Sequence, residues 1–109
     1  MDKPFRITKP TLRVLAYLLT KPGGEVYGLE VSEATGLKYG TVQPILVRLE
    51  QHKWAESEWE DIDPKVEGRR ARRYYKLTAE GIRKGRREIE AVRSFLPAPL
   101  GFVLKGLMR

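Results

Sequence analysis

The first apolar pattern along the chain is that of an amphipathic helix. Apolar residues recur every three or four positions, a spacing that places them on one face of a helix. They are Leu12, Leu15, Ala16 and Leu19. Thr8 is suited to cap this helix and Pro10 to occupy its first turn. The Pro-Gly-Gly sequence at 22–24 is predicted to end it.

Two more helices are predicted over residues 27–34 and 39–52. Gly36 follows the first of them and suits the left-handed residue that ends a helix. The second carries a continuous apolar stripe, and Pro44 lies close enough to its start to be tolerated. The stripe consists of Val42, Ile45, Leu46 and Leu49. Two short helices joined by a tight turn at 35–37 are a candidate helix-turn-helix.

From residue 54 the pattern changes to the alternation of extended strands. Glutamates at 56, 58 and 60 fall on one side of the first segment, and residues 71–77 form a return segment rich in aromatic residues. Residues 62–68 are predicted to be a loop, so the two segments form a β-hairpin with a long tip. Trp54 is expected in the core, whereas Trp59 fits the core and a ligand pocket equally well.

A narrow apolar stripe follows Thr78, a plausible N-cap, in a helix predicted over residues 79–96. The stripe is too sparse for a core of its own, so we expect it to pack against a second copy of the chain. It consists of Ile82, Ile89, Val92, Phe95 and Leu96.

Charge and composition narrow the function. The 109 residues include 21 Lys and Arg against 14 Asp and Glu, a formal net charge of +7. This excess favours a polyanionic partner, nucleic acid before anionic membrane. The chain has no Cys and one His, so thiolate metal sites and His-centred catalytic triads are excluded. The glutamates of the first strand are better explained as a solvated face than as a metal or acid–base site, and no enzyme and no cofactor are predicted.

The chain lacks the apolar length that a membrane span requires. Its longest unbroken apolar run, at 14–19, is far shorter than the roughly 20 residues that cross a bilayer, and the N-terminus has no signal-peptide core. We therefore expect a cytoplasmic protein.

Several short motifs occur in a characteristic order. They are Tyr-Gly at 27–28, Thr-Gly-Leu at 35–37, Gly-Thr-Val-Gln-Pro-Ile-Leu at 40–46, Arg-Leu-Glu at 48–50, Glu-Ser-Glu-Trp-Glu at 56–60 and Arg-Arg-Tyr-Tyr-Lys-Leu-Thr-Ala-Glu-Gly at 72–81. Together they resemble the PadR family of bacterial winged-helix transcriptional regulators over residues 8–90. Leu29 and Gln43 depart from the family's pattern, and Lys53 occupies the position of its usual helix-ending glycine.

The resemblance implies a mainly α fold with a β-hairpin wing. It divides the chain into a winged helix-turn-helix DNA-binding domain at 1–78 and a C-terminal dimerisation segment at 79–109. The third helix would enter the major groove of double-stranded DNA with its first turn near the bases. The candidate contacts on it are Lys38, Tyr39, Thr41, Gln43 and Arg48. Gln43 suits adenine and Thr41 a thymine methyl or a phosphate, whereas Tyr39 fits a DNA contact and a shield for the turn equally well.

The hairpin tip is the most basic part of the chain. Its candidate DNA contacts are Lys65, Arg69, Arg70 and Arg72. Arginine at a wing tip suits the narrow minor groove. We expect Arg72 to pair with the glutamates across the hairpin, and Arg69 and Arg70 to stay free because no acidic strand faces the tip.

These observations predict a dimeric, sequence-specific DNA-binding regulator, most simply a repressor. The C-terminal part is short for the family and leaves little room for a ligand pocket between subunits, so a small-molecule effector is the less favoured alternative. A second class of function is a winged-helix adaptor that docks on a protein or a membrane through the apolar tract at 100–108. Such an adaptor would bind without DNA sequence preference.

Overall fold

The computed structural model describes residues 5–93 of the chain. In chain order the elements are helix α1 (Lys9–Leu19), strand β1 (Val26–Tyr27), helices α2 (Gly28–Thr35) and α3 (Tyr39–Gln51), strand β2 (Ala55–Trp59), helix α4 (Pro64–Glu67), strand β3 (Arg73–Leu77) and helix α5 (Ala79–Arg93). This order confirms the predicted mainly α fold with a β-hairpin wing. Phe95, Leu96 and the apolar tract at 100–108 lie outside the described residues.

Helix α1 runs through the centre of the core. Thr8 caps its N-terminus as predicted, and the Thr8 hydroxyl accepts from the backbone N–H of Thr11 at 3.3 Å. Its buried face is wider than the predicted stripe and includes Val14 and Leu18, whereas Leu12 is only half-buried. The face is wide because α2, α3 and α5 all pack against this helix.

The second and third helices form the predicted helix-turn-helix. All of the predicted apolar stripe of α3 is buried in the core. Helix α2 begins one residue later than expected, at Gly28, because Tyr27 belongs to strand β1. Within α2 the core receives Val31, while Leu29 is 53% exposed.

The small sheet has three antiparallel strands in the order β1-β3-β2. Ser57 on β2 and Val26 on β1 both face Tyr75 on β3, so β3 is the central strand. Strand β1 was not predicted, because its two residues are too few to show alternation. Trp54, just before β2, is buried as predicted.

The long tip of the hairpin contains a helical turn where the sequence predicted a loop. Residues 64–67 form the one-turn helix α4. Asp63 accepts from the backbone N–H of Lys65 at 3.0 Å, and Gly68 ends the turn in the left-handed conformation, with φ 69°. Proline at the first position and an aspartate cap before it favour such a turn.

Helix α5 packs against α1 and shares its core. Thr78 caps it as expected and accepts from the backbone N–H of Gly81 at 3.0 Å. Ile89, predicted to face a second subunit, is instead 2% exposed in the single chain. The prediction was wrong for this residue because the core of the chain's own fold covers it, while Ile82 and Val92 remain half-buried. No helix within residues 5–93 is both long and apolar enough to cross a membrane.

Candidate nucleic-acid interface

The turn between α2 and α3 is held by short-range hydrogen bonds. Gly36 takes the left-handed conformation with φ 74°, as its position after the helix predicted. The hydroxyl of Ser32 donates to the carbonyl of Leu37 at 2.6 Å, and that of Thr35 donates to the carbonyl of Val31 at 2.7 Å. These bonds fix the direction in which α3 leaves the turn.

The face of α3 opposite the core is open to solvent. Lys38, Tyr39, Thr41 and Arg48 are all exposed, as a surface that contacts DNA requires. Lys38 and Arg48 form no ion pair with any residue in the part of the chain that the structure describes. Their charges are therefore available to a phosphate or a base edge.

Gln43 differs from the other candidates on α3. Its side chain is half-buried, and its Nε2 donates to the hydroxyl of Tyr75 at 3.2 Å. Its Oε1 lies near Gly28, 3.0 Å from where a Cβ would stand. The amide therefore turns towards the sheet, away from the exposed face on which Thr41 and Arg48 lie.

Glu60 joins the two sides of the wing, which we define as β2, β3 and residues 60–72 between them. Its carboxylate accepts from the Arg69 guanidinium at 2.7 and 3.1 Å and from the backbone N–H of Arg72 at 3.2 Å. The hydrogen bonds from Arg69 lower the pKa of Glu60 to about 2, despite some desolvation. The expectation that Arg69 is free was wrong, because the tip folds back and brings Arg69 to the end of β2.

The guanidinium of Arg72 forms no ion pair with a glutamate across the hairpin, contrary to expectation. Its guanidinium lies 4.6 Å from the ring centroid of Tyr27, in cation–π contact. Strand β1 provides this ring, since Tyr27 pairs with Tyr74 on β3. The side chains of Arg72, Lys65 and Arg70 therefore have no carboxylate partner within residues 5–93.

Arg73 is the wing arginine that pairs with helix α3. It contacts Glu50 of α3 at 3.3 Å and donates to Ser57 on β2 at 3.0 Å. Ser57 in turn donates to Glu50. These three residues connect the wing to α3.

A groove separates α3 from the wing, and we call it the helix–wing groove. Helix α3 lines it with Tyr39, Gln43 and Val47, and the sheet and wing line it with Trp59, Arg72 and Tyr75. From the sequence, Trp59 fits the core and a ligand pocket equally well. The structure places it at this groove, where it is 63% exposed. The other lining residues come from stretches of the chain that are far apart in sequence, so no local pattern predicted that these stretches would meet.

The acidic side chains of β2 form no metal site. Within residues 5–93 no group of His, Cys, Asp or Glu is arranged to hold a metal ion. Glu56 and Glu58 are exposed on the strand, as a solvated face predicts, while Glu60 is used by the wing.

One comparison with known proteins identifies a family, and another identifies the fold. The sequence profile of the transcriptional regulator PadR-like family matches residues 14–90. No curated protein sequence matches the chain. Among solved structures, that of disulfide-formed AbfR is similar with 26% identity and a TM-score of 0.66, over 94% of this chain and 72% of that chain.

Two further structures show the same fold at lower identity. The protein smu.1704 from Streptococcus mutans UA159 is 21% identical with a TM-score of 0.66, over 98% of both chains. A mutant of MepR from S. aureus, solved bound to an oligodeoxyribonucleotide, is 20% identical with a TM-score of 0.59, over 91% of this chain and 72% of that chain.

Proposed function

Because the chain belongs to the PadR-like family of transcriptional regulators, we propose that it binds double-stranded DNA sequence-specifically as a homodimer and represses transcription by occupying a promoter. One observation carries this proposal. On α3, Thr41 and Arg48 are exposed, and Gln43 and Val47 of the same helix face the wing. On that wing the side chains of Arg70 and Arg72 form no ion pair within residues 5–93. A helix that fits a major groove is therefore flanked by cations for the adjacent phosphates.

The two surfaces have different tasks in this proposal. Thr41, in the first turn, contacts a thymine methyl or a phosphate, and Arg48, further along α3, contacts a phosphate. At the start of α3, Lys38 and Tyr39 contact the sugar–phosphate backbone of the DNA. Gln43 positions α3 against the wing and does not read a base of the DNA, because its amide points towards Tyr75 and away from the face that carries Thr41 and Arg48.

The wing supplies affinity that does not depend on sequence. Lys65, Arg70 and Arg72 neutralise phosphates or enter the minor groove beside the helix. Arg69 acts indirectly, because its ion pair with Glu60 shapes the tip that presents the other cations.

Dimerisation uses the C-terminal helix. Ile82 and Val92 are half-buried in the single chain, so each retains apolar surface for a partner, and Phe95 and Leu96 continue the predicted stripe. Two copies related by a two-fold axis would place their third helices in successive major grooves.

Sedimentation equilibrium tests the dimer. Val92→Glu should shift the protein towards monomer, because a charge would be buried in the interface. Val66→Glu is the matched control, since Val66 is 78% exposed on α4 and lies away from α5. A dimer that both variants leave intact would contradict the assignment of Val92.

Selection of bound fragments from a random duplex pool tests DNA recognition. At about 150 mM salt, where binding by charge alone is partly suppressed, we expect an inverted repeat with half-site centres about 10 base pairs apart. Recovery of no motif, with retention that falls steadily as salt rises, would contradict sequence-specific binding.

A further inference from the structure

The helix–wing groove has the size and the surface of a small-molecule site. Its volume is about 760 Å³, within the range of roughly 300–1,000 Å³ that such sites occupy. Five large hydrophobic side chains are exposed within residues 5–93, and four of them line this groove. These are Leu29, Tyr39, Val47 and Trp59. Their concentration in one concavity indicates a binding surface, because isolated exposed apolar residues are normally scattered.

The charge of the groove favours an anion. Arg70, Arg72 and Arg73 line it, against the single carboxylate of Glu50. Glu50 is already paired with Arg73 at 3.3 Å, which leaves the guanidinium groups of Arg70 and Arg72 without a carboxylate. Arginine binds phosphate oxygens with two parallel N–H groups, so these side chains suit a phosphate.

Aromatic rings stand beside these arginines. Trp59 is 63% exposed and Tyr39 is 50% exposed, so both offer ring surface to a ligand. Tyr27 adds a third ring, on which Arg72 is stacked at 4.6 Å. Exposed aromatic rings next to arginines are the usual means of holding a nucleobase together with its phosphate.

The floor of the groove offers hydrogen bonds with a defined pattern. The hydroxyl of Tyr75 accepts from Gln43 Nε2, so its own proton is left to donate. Burial raises the pKa of Tyr75, which keeps that proton in place at neutral pH. The Oε1 atom of Gln43 is left to accept, and it lies beside Gly28 and the ring of Tyr39. One acceptor next to one donor matches the exocyclic amine and ring nitrogen of adenine.

We infer that the helix–wing groove binds a free adenine nucleotide, and that the nucleotide and DNA exclude each other. The base stacks against Trp59 and Tyr39, its edge meets Gln43 and Tyr75, and the phosphate pairs with Arg70 and Arg72. Exclusion rests on the proposed function, because bound DNA needs the same cations and the same space between α3 and the wing. The chain would then release its operator when the nucleotide is abundant.

Titration of the DNA-free protein with AMP tests the site directly. The chain has two tryptophans, and only Trp59 lies at the groove, while Trp54 is 7% exposed in the core. In a two-dimensional nitrogen–proton NMR spectrum, the indole N–H signal of Trp59 should move with AMP and that of Trp54 should not. GMP, adenosine and ribose 5-phosphate are the matched probes, each lacking either the adenine edge, the phosphate or the base.

Variants identify the contacts. Trp59→Ala and Arg72→Ala should each weaken AMP binding about tenfold or more, measured by calorimetry. Both side chains are largely exposed, so the fold should survive, as circular dichroism would verify. Val66→Ala is the control, because it removes an exposed apolar side chain outside the groove and should leave AMP binding unchanged.

Three results would overturn the inference. The first is a Trp59 signal that stays fixed at millimolar AMP. The second is binding of GMP or ribose 5-phosphate as tight as that of AMP. The third is binding of AMP by the variants as tight as by the wild type. With a duplex recovered by selection, AMP should raise the apparent Kd for DNA in the wild type and not in Trp59→Ala. DNA that binds and is not displaced by bound AMP would overturn the exclusion. Failure to bind any duplex would contradict the proposed function alone, since the titration contains no DNA.

Discussion

Gln43 Nε2 donates to the hydroxyl of Tyr75 at 3.2 Å and thereby joins helix α3 to the central strand of the sheet. The two residues are 32 positions apart in the chain, yet this bond sets where the helix stands relative to the wing. It also changes the role of Gln43, since an amide that faces the sheet is not free to read a base on the opposite side of the helix.

Replacement of Gln43 separates positioning from base reading. We expect Gln43→Ala to lower the free energy of unfolding by about 1–2 kcal/mol, because the buried Tyr75 hydroxyl loses its partner. The DNA sequence preferred in a repeated selection should stay the same. Thr41→Ala should instead relax the preference at one base pair, since it removes an exposed side chain proposed to contact a thymine methyl. A changed preference in Gln43→Ala would return this residue to the base-reading set.

The two arginines at 69 and 70 should differ in their effect on salt dependence. Arg70→Ala should reduce the slope of log K against log salt by about 1, because one phosphate contact is lost. Arg69→Ala should leave that slope nearly unchanged, since the guanidinium of Arg69 is bound to Glu60. Fluorescence anisotropy over a series of salt concentrations measures both. Equal losses of slope would show that Arg69 also contacts phosphate.

Acid should weaken the wing in a defined pH window. The carboxyl of Glu60 has its pKa lowered from 4.5 to about 2 in the folded chain, so the unfolded chain binds more protons between these values. The stabilisation from the Arg69 pair is therefore complete above about pH 4.5 and is lost as the pH falls through about 2. Denaturant titrations of wild type and Glu60→Gln should show a stability difference that shrinks within this window. Glu56→Gln is the matched control, because it removes a carboxylate on β2 that forms no ion pair within residues 5–93.

Helix α5 approaches the backbone before β2 so closely that only glycine fits at 81. A Cβ at Gly81 would lie 1.9 Å from the carbonyl oxygen of Trp54. Gly81→Ala should lower the free energy of unfolding by about 3 kcal/mol, because backbone atoms must move apart. At Gly40, on α3, a Cβ would meet nothing within 4 Å, and Gly40→Ala should be neutral or stabilising by up to about 1 kcal/mol. Thermal unfolding compares the two, and similar losses would contradict the steric explanation.

Lys53 holds a conformation that glycine adopts more easily. It follows α3 with φ 67°, and it is the only non-glycine residue with positive φ within residues 5–93. Its side chain is exposed, and its backbone carbonyl accepts from the hydroxyl of Thr78 at 2.7 Å. Lys53→Gly should therefore raise the free energy of unfolding by about 0.5–1 kcal/mol, as relief of backbone strain exceeds the entropy cost of glycine. A lower Tm in the variant would show that the lysine side chain stabilises the fold.

Short-range features of this chain could be predicted from the sequence. The stripe of α3 that includes Ile45 and Leu49 follows from helical periodicity, and Thr8 and Gly36 mark helix ends through chemistry within a few residues. The exposure of Lys38, Thr41 and Arg48 follows from the same periodicity, since they lie off the buried stripe. All of these depend on positions close together in the chain.

The tertiary structure decided which distant residues meet. Strand β1 exists because Val26 and Tyr27 pair with Tyr75 and Tyr74, and that pairing also gives Arg72 a ring to stack on. The folded tip exchanged the expected ion pairs, so that the guanidinium of Arg69 binds Glu60 and that of Arg72 does not. Ile89 belongs to the predicted dimer stripe, but the core of the folded chain buries it.

The sequence by itself therefore determined helices α1, α2, α3 and α5, the hairpin and the basic character of the surface, because periodicity, capping and charge act over short distances or need no geometry. The helix–wing groove and the orientation of Gln43 arise only when residues from α3, β1 and the wing come together. These contacts depend on strand register and on helix–sheet packing, and a single chain read in order carries no local signal for either.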